Sequence, residues 1–456
     1  MKKQWTVLLC VMLLAVSVLG ACSSSSSSKG TNSPASPEAT NGTDSPSKEK
    51  VTIKYFNWDN EVQAQTTAKY IEQFEAENPN IKVESVALVP GNSLETMKKL
   101  DFLVASGEQV DLIAFPNTTE LFTRAQNGVL APLNEFYTAD GIKPDEEYMV
   151  NPKMKDNYYG IQTNATTNFI LLNKDALDAA GLAVPKADWT WDDFREYAKK
   201  LTTDQNGTKQ YGAYFHSWPL YMNPVAQVNM RHPFLTEEGK TNFSDPSFKS
   251  FFDLRRAMEK EDKSAKPYSD VIGAKLAYRT EFFDGKAAMM LTGSWMISEI
   301  GDTTKYPHTF KTAVAPVPLP SKGADPSVYI GGNFLSVGET SKYKQEAYKF
   351  ARFISTNLSE ARIELPGWRK GDAKPIVERM IGENKELYDV DSLMYTLFTD
   401  EIKPLPASSV VVSYDKELDQ ILTDGFSKFI LGSQSSDEIQ AWMVDEANKV
   451  IQKNTK

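Results

Sequence analysis

Between residues 51 and 115 the chain alternates between strand-like and helix-like patterning, and this alternation is the tightest constraint on what it folds into. Residues 51–56 alternate and then turn apolar, as a strand does. Ala64, Ala68, Ile71 and Phe74 recur at helical spacing, and Asn78 and Pro79 end the run. Residues 81–88 read as a second strand. Asn92 and Glu95 then stand in capping-box spacing ahead of Leu94, Met97, Leu100 and Val104 on one helical face. Residues 110–115 make a third strand. Strands separated by helices of this length form βαβ units around a mainly parallel sheet, whose strand ends carry Trp58, Asp59, Pro116 and Asn117 on loops.

A second stretch aims an aromatic ring at such a strand end. Four apolar residues, Ala287, Ala288, Met289 and Met290, continue into Leu291 and suit a strand covered on both faces. Gly293 permits a sharp bend, and Ser294 is placed to cap a helix beginning near Met296. Trp295 thus falls at a strand end, where open α/β sheets put their ligands. The plainer reading of an apolar run ending in Trp is a core residue.

With 456 residues, 41% hydrophobic and 11% aromatic, the chain has material for more than one core and too much apolar content for disorder. Its net charge of -10 argues against nucleic acid and anionic membrane surfaces as partners. Lys2 and Lys3 before the apolar run from Trp5 to Leu19 follow the plan of a secretory signal, too short for a confident membrane span. Leu19, Gly20, Ala21, Cys22 resembles a bacterial lipobox, which implies cleavage before Cys22 and a lipid on its thiol. The other of the two Cys, Cys10, lies in the segment to be removed, so the mature chain is expected to hold no disulfide. Residues 23–50, rich in Ser, Thr, Pro and charge, read as a disordered tether.

No catalytic motif stands out. The three His, at 216, 232 and 308, lack metal spacing, and there is no nucleophile elbow, P-loop or GxGxxG after the first strand. The expectation is a protein with no cofactor, no metal and no enzymatic activity.

Several segments resemble one family. Phe282, Phe283, Asp284, Gly285, Lys286, Ala287, Ala288 and Met289, followed by Gly293, Ser294 and Trp295, are similar to the extracellular solute-binding proteins of sugar ABC importers, the maltose-binding type of family 1. Phe74, Glu75, Asn78, Pro79, Ile81 and Val83, with Gly107, Asp111 and Leu112, fit the same pattern. So do Gly160 through Asn173, Lys174 and Gly181, and the proline-punctuated residues 312–320. Gln162 and Leu172 depart from it, standing where the family often has Pro and Tyr.

The resemblance covers roughly residues 51–456. It implies an α/β, two-lobed periplasmic-binding-protein fold of type II, with mixed, mainly parallel sheets flanked by helices and a hinged cleft. The implied layout is a signal peptide at 1–21, a lipid-anchored tether at 22–50, a first lobe of 51–162 and 313–362, and a second of 163–312 and 363–456. Residues 312–320 would then be the second passage between lobes.

In such a cleft Trp295 would stack on a sugar, with Trp58 and Trp218 completing aromatic walls. Asp59, Asn117, Asn164 and Asn333 would bond hydroxyls. Trp218, Pro219 and Leu220 resemble a sugar-contacting segment of the maltose-binding type, so Tyr214, His216 and Trp218 suit either pocket or core. Trp368 and Arg369, on a turn-rich loop, are further contact candidates. Trp189 and Trp191, beside the helix cap Thr190, read as packing residues. The implied partners are a carbohydrate, the transmembrane subunits of an ABC permease, and the membrane through the lipid anchor only. The chain is expected to be a monomer outside the cytoplasm, anchored to the outer face of the bacterial cell membrane. Alternatives are a peptide, polyamine or sugar-acid cargo on the same fold, or an exported carbohydrate-active enzyme.

Overall fold

The computed structural model describes residues 50–205, 208–224, 230, 232–405 and 410–455. Cys22, with the apolar leader and most of the tether, lies outside them.

The expected alternation is present. β1 (Val51–Asn57), α1 (Glu61–Glu77), β2 (Ile81–Ala87), α2 (Ser93–Ala105), β3 (Leu112–Phe115) and α3 (Thr118–Gln126) follow in order. β1 pairs in parallel with β2, Val51 opposite Ile81, and with β3, Tyr55 opposite Leu112. Asn60 caps α1 in a reciprocal box with Gln63, and Asn92 caps α2 through the Glu95 N–H. The buried face of α1 is rotated from the expected one. Thr67, Tyr70 and Phe74 are buried, whereas Ala64 and Ala68 are exposed. Phe74 decides this, because its ring packs between those of Phe350 and Phe353 and alanines offer far less apolar area to hide. Leu94 is likewise 52% exposed, while Met97 and Leu100 of α2 are buried as expected.

The chain continues through β4 (Ile161–Gln162), β5 (Thr166–Asn173), α4 (Trp191–Leu201), β6 (Thr203–Gln205), β7 (Thr208–Tyr214), α5 (Pro246–Arg256), α6 (Tyr278–Phe283), β8 (Ala287–Gly293) and β9 (Thr312–Ala315). After these come β10 (Ile330–Gly331), β11 (Phe334–Val337), α7 (Lys344–Thr356), α8 (Asp415–Leu431) and α9 (Ser436–Asn454). Two mixed sheets result. The first has the order β2-β1-β3-β11-β4, and the second β9-β5-β8-β7-β6, with β10 also on β5. Parallel pairing is confined to β1–β2, β1–β3 and β7–β8, and the remaining neighbours in these sheets are antiparallel.

β8 is buried along its whole length, as its unbroken apolar run requires. Ala287 and Met290 pack into one core cluster, and Ala288, Met289 and Leu291 into the cluster on the other face. Trp189 and Trp191 are core residues of that second cluster, and Thr190 caps α4.

The passage between sheets expected at residues 312–320 lies elsewhere. β9 pairs antiparallel with β5, so Thr312–Ala315 is an edge strand of the second sheet. Pro316, Pro318 and Pro320 come after that strand and remove no ladder donor from it. The chain first passes from β4 to β5 through Thr163–Ala165, and returns from β10 to β11 through Gly332 and Asn333. A third passage runs beside the first, where Ala165 N–H donates to Leu365 O and Asn164 bridges to Pro366. These passages lie close enough that a Cβ at Gly332 would sit 2.2 Å from Asn164 O.

Among the described residues, no helix is long and apolar enough to cross a membrane.

Candidate binding site at the passages between the sheets

Strand direction brings both sheets' functional ends to the passages. Phe115, at the carboxyl end of β3, is opposite Phe334 of β11, which is opposite Gln162 of β4. Trp58 and Asp59 leave the carboxyl end of the neighbouring β1. In the second sheet Gly293, the last residue of β8, lies opposite Asn168 near the start of β5. Ser294 Oγ accepts the Thr167 N–H at 3.3 Å, fixing the bend that delivers Trp295, and it does not cap the helix expected after it.

A pocket opens where β1 and α1 meet the passages, lined by residues that include Trp58, Asp59, Thr67, Asn333, Arg362 and Glu364. Gln63, Thr66, Thr67 and Tyr70 of α1, spaced i, i+3, i+4 and i+7, supply one wall. Thr67 Oγ1 donates to Asp59 Oδ2 at 2.6 Å. Burial pushes the Asp59 carboxyl up to about 6, Glu364 adding to the rise against the opposing Thr67 hydrogen bond. Glu364 Oε2 accepts from Asn164 Nδ2 at 2.8 Å, and Asn164 Oδ1 accepts the Asn333 N–H at 2.7 Å. Arg362 is buried, and its guanidinium donates to Asn357 O at 2.7 Å, Thr163 O at 3.0 Å and Ile354 O at 2.7 Å. It therefore ties the end of α7 to the first passage.

In the second lobe the aromatic side chains gather. Trp295 folds back over Gly293, where a Cβ would stand 2.3 Å from the ring. Its centroid is 6.0 Å from that of Trp218, which is in turn 5.2 Å from Tyr278 and 4.9 Å from His216. Tyr214 Oη and His216 Nδ1 are 3.0 Å apart. Burial and the nearby Arg279 bring His216 down to about 4, so at neutral pH the ring is uncharged. Arg279 is itself paired, Nε to Glu299 Oε2 at 2.6 Å. Ile363 joins the two regions, lining the pocket and packing against the same core cluster as Trp218 and Trp295.

Of the residues singled out by sequence, Trp58, Asp59 and Asn333 line the pocket. His216, Trp218 and Trp295 are half-buried in the aromatic group, whereas Tyr214 is a core residue meeting that group through its hydroxyl. Asn164 is buried, and both ends of its amide are spent on holding the passages together. Asn117 is exposed outside the pocket lining and caps α3, its Oδ1 accepting the Glu120 N–H at 2.9 Å. Trp368 and Arg369 are also absent from that lining. Trp368 Nε1 donates to Glu147 Oε2 at 3.2 Å, and Arg369 Nε to Tyr148 O at 2.8 Å, which pins their loop to the first lobe.

Thr67, Tyr70, Arg362 and Glu364 were not among the sequence candidates. The α1 residues carried a usable signal, a polar stripe at helical spacing directly behind Trp58 and Asp59. Arg362 and Glu364 carried none, because only the third passage brings them to the pocket. Among the described residues no three His, Cys, Asp or Glu side chains gather as metal ligands.

A family model described as bacterial extracellular solute-binding protein matches residues 58–357. The chain is 24% identical over 373 residues to the multiple sugar-binding protein of Streptococcus mutans, covering 78% of this chain and 81% of that one. In fold it is similar to an ABC substrate-binding protein of Listeria monocytogenes in complex with cycloalternan, with a TM-score of 0.70, 24% identity, and coverage of 89% of this chain and 100% of that one. It is similar too to UgpB of Mycobacterium tuberculosis in complex with glycerophosphocholine, with a TM-score of 0.69, 15% identity, and coverage of 89% and 100%.

Proposed function

Because this chain belongs to the bacterial extracellular solute-binding protein family, we propose that it captures a carbohydrate between its two lobes and delivers it to an ABC permease, without chemical turnover. The observation that carries this reading is the pocket at the passages, polar on the first-lobe side and bordered through Ile363 by the Trp218–Trp295 group. Sugars present apolar C–H faces and many hydroxyls. Flat indole rings cover the first, and Asp59, Asn333 and the α1 stripe meet the second, because a buried hydroxyl left unpaired is costly.

The ligand docks on one lobe, the lobes rotate together about the three passages, and contacts from the second lobe stabilise the closed form. The similar proteins from Streptococcus mutans and Listeria monocytogenes, with a sugar-binding name and a bound cycloalternan, support a saccharide. The glycerophosphocholine in the Mycobacterium tuberculosis structure supports a phosphate-bearing ligand as the second reading. Cys22 is proposed to carry the lipid that holds the chain at the outer membrane face. Detergent phase partition of the exported chain, with and without Cys22→Ser, tests this.

Thermal unfolding against a panel of mono- and oligosaccharides, sugar phosphates, peptides and polyamines tests the ligand class. A ligand that binds only the folded state at a hundredfold excess over its Kd adds about 2.7 kcal/mol. A raised midpoint with saccharides alone, and recovery of the saccharide unchanged, is the expected result. A rise with peptides or polyamines alone would keep the fold and remove the carbohydrate.

A further inference from the structure

The charged side chains lining the pocket are Asp59, Glu364 and Arg362. The guanidinium cannot fork around an incoming anion, because its Nε, Nη1 and Nη2 already donate to the carbonyls of Asn357, Thr163 and Ile354. Across the cleft the nearest cation of the aromatic group, Arg279, is engaged by Glu299.

The carboxyl groups are committed less fully. Asp59 accepts from Thr67 through Oδ2, and Glu364 from Asn164 through Oε2. Within the described chain their second oxygens accept no hydrogen bond that would occupy them. The two acids also feel each other, since the charge on Glu364 contributes to the raised proton affinity of Asp59. What the pocket's charged side chains lack is a free cation, and the group that two open carboxylates would hold most strongly is a positive donor.

Resting on the carbohydrate reading of this pocket, we infer that the site sorts saccharides by charge, favouring a unit with an amino group over its neutral counterpart and refusing one with a phosphate or carboxylate. Asp59 and Glu364 are the specificity-determining pair. An ammonium between them makes charge-assisted hydrogen bonds to both free oxygens, whereas a hydroxyl makes neutral–ionic ones. An anion meets two carboxylates and a guanidinium whose Nε, Nη1 and Nη2 each already donate to a backbone carbonyl.

The test uses size-matched probes, glucosamine, glucose, glucuronate and glucose 6-phosphate, titrated calorimetrically into the full chain and into an Asp59→Asn, Glu364→Gln double variant. The expected order is glucosamine, then glucose, with each anion at least tenfold weaker than glucose, and a ratio that narrows in the double variant. Tighter binding of either anion than of glucose overturns the inference. A second readout needs no sugar. Fluorescence quenching of the Trp58 component, taken as the difference between the chain and its Trp58→Phe variant, is measured with caesium and with iodide, each normalised to free N-acetyltryptophanamide. Caesium should quench at least twice as well as iodide, with the preference lost in the double variant, and an iodide preference overturns the inference. If no saccharide binds in any form, the carbohydrate reading falls, and the quenching ratio still decides the charge of the pocket.

Discussion

Lys416 Nζ, in the first turn of α8, lies 2.8 Å from Glu120 Oε2 on α3, so an ion pair joins the carboxyl-terminal helices of the second lobe to the first. Glu120 is buried and also paired with Arg124 at 2.6 Å, and Val411 packs against the same first-lobe cluster as Phe122. This contact exists only while the lobes touch, so it biases the hinge toward closure. Lys416→Met should open the ligand-free chain and weaken ligand binding about 2- to 5-fold, the size expected of a partly exposed pair. Small-angle scattering and a titration check the two effects. Unchanged scattering and affinity together would remove this pair from the closure equilibrium.

Gly293→Ala should act through Trp295. The backbone at Gly293 is extended, with φ -151 and ψ -178, so alanine adopts it freely, but its Cβ would overlap the indole ring. The ring must therefore move. If Trp295 is a buried anchor for the ligand, Trp295→Ala costs about 2 kcal/mol of binding, and Gly293→Ala should lose a comparable share. Full affinity in Gly293→Ala alongside a loss in Trp295→Ala would mean that the ring binds equally well from a displaced position.

The raised proton affinity of Asp59 predicts a pH signature. In the unfolded chain the carboxyl ionises near its ordinary value, about 4, and in the folded chain near 6. Its stabilising contribution is complete below the lower value and is lost as pH rises through the upper one. Asp59→Asn should therefore match the parent below about pH 4 and exceed it in stability above pH 6, by on the order of 1–2 kcal/mol for a partly buried group. Urea unfolding of both chains at pH 3.5, 5 and 7 reads the difference. A gap that stays constant with pH would contradict the shift.

Arg369 and Arg362 should separate cleanly. Arg369→Ala removes a hydrogen bond to Tyr148 O on an exposed loop, and should leave ligand affinity within about 0.5 kcal/mol while lowering stability by about 1 kcal/mol. Arg362→Lys takes a planar donor away from three carbonyls that a single ammonium cannot all reach, leaving buried acceptors unpaired. It should cost about 2–4 kcal/mol of stability and loosen the passages. Thermal melts and titrations on the two variants make the comparison, and a binding loss in Arg369→Ala without loss of stability would return that loop to the site.

The strands, the caps of α2 and α4 and the buried β8 were legible in sequence because each rests on near neighbours in the chain. Asn92 and Thr190 cap helices that begin one residue later, and the run from Ala287 to Met290 states its own burial. The face of α1 was not legible, because it depends on Phe350 and Phe353, far away in sequence. Asn117 and Arg369 looked available for another reason. Their side chains are spent on backbone groups, Asn117 on the nearby Glu120 N–H and Arg369 on Tyr148 O far back in the chain, which residue type alone does not reveal. Trp58 and Asp59 were found because they follow a strand, and Glu364 was missed because it follows none.

The position of β11 also governs how this chain comes to be folded. It sits between β3 and β4 in the first sheet, yet it is made long after both. Until Phe334–Val337 has been synthesised, the neighbouring edges of β3 and β4 stand open, and an emerging chain holds a sheet with a vacant middle. Pairings so distant in sequence are slow to form and expose unpaired edges while they wait. The first sheet is therefore completed only after every strand of the second has been made, with β10 immediately before β11. A truncation anywhere before β11 would leave the first lobe with an unfilled slot, open to the matching strand of another copy.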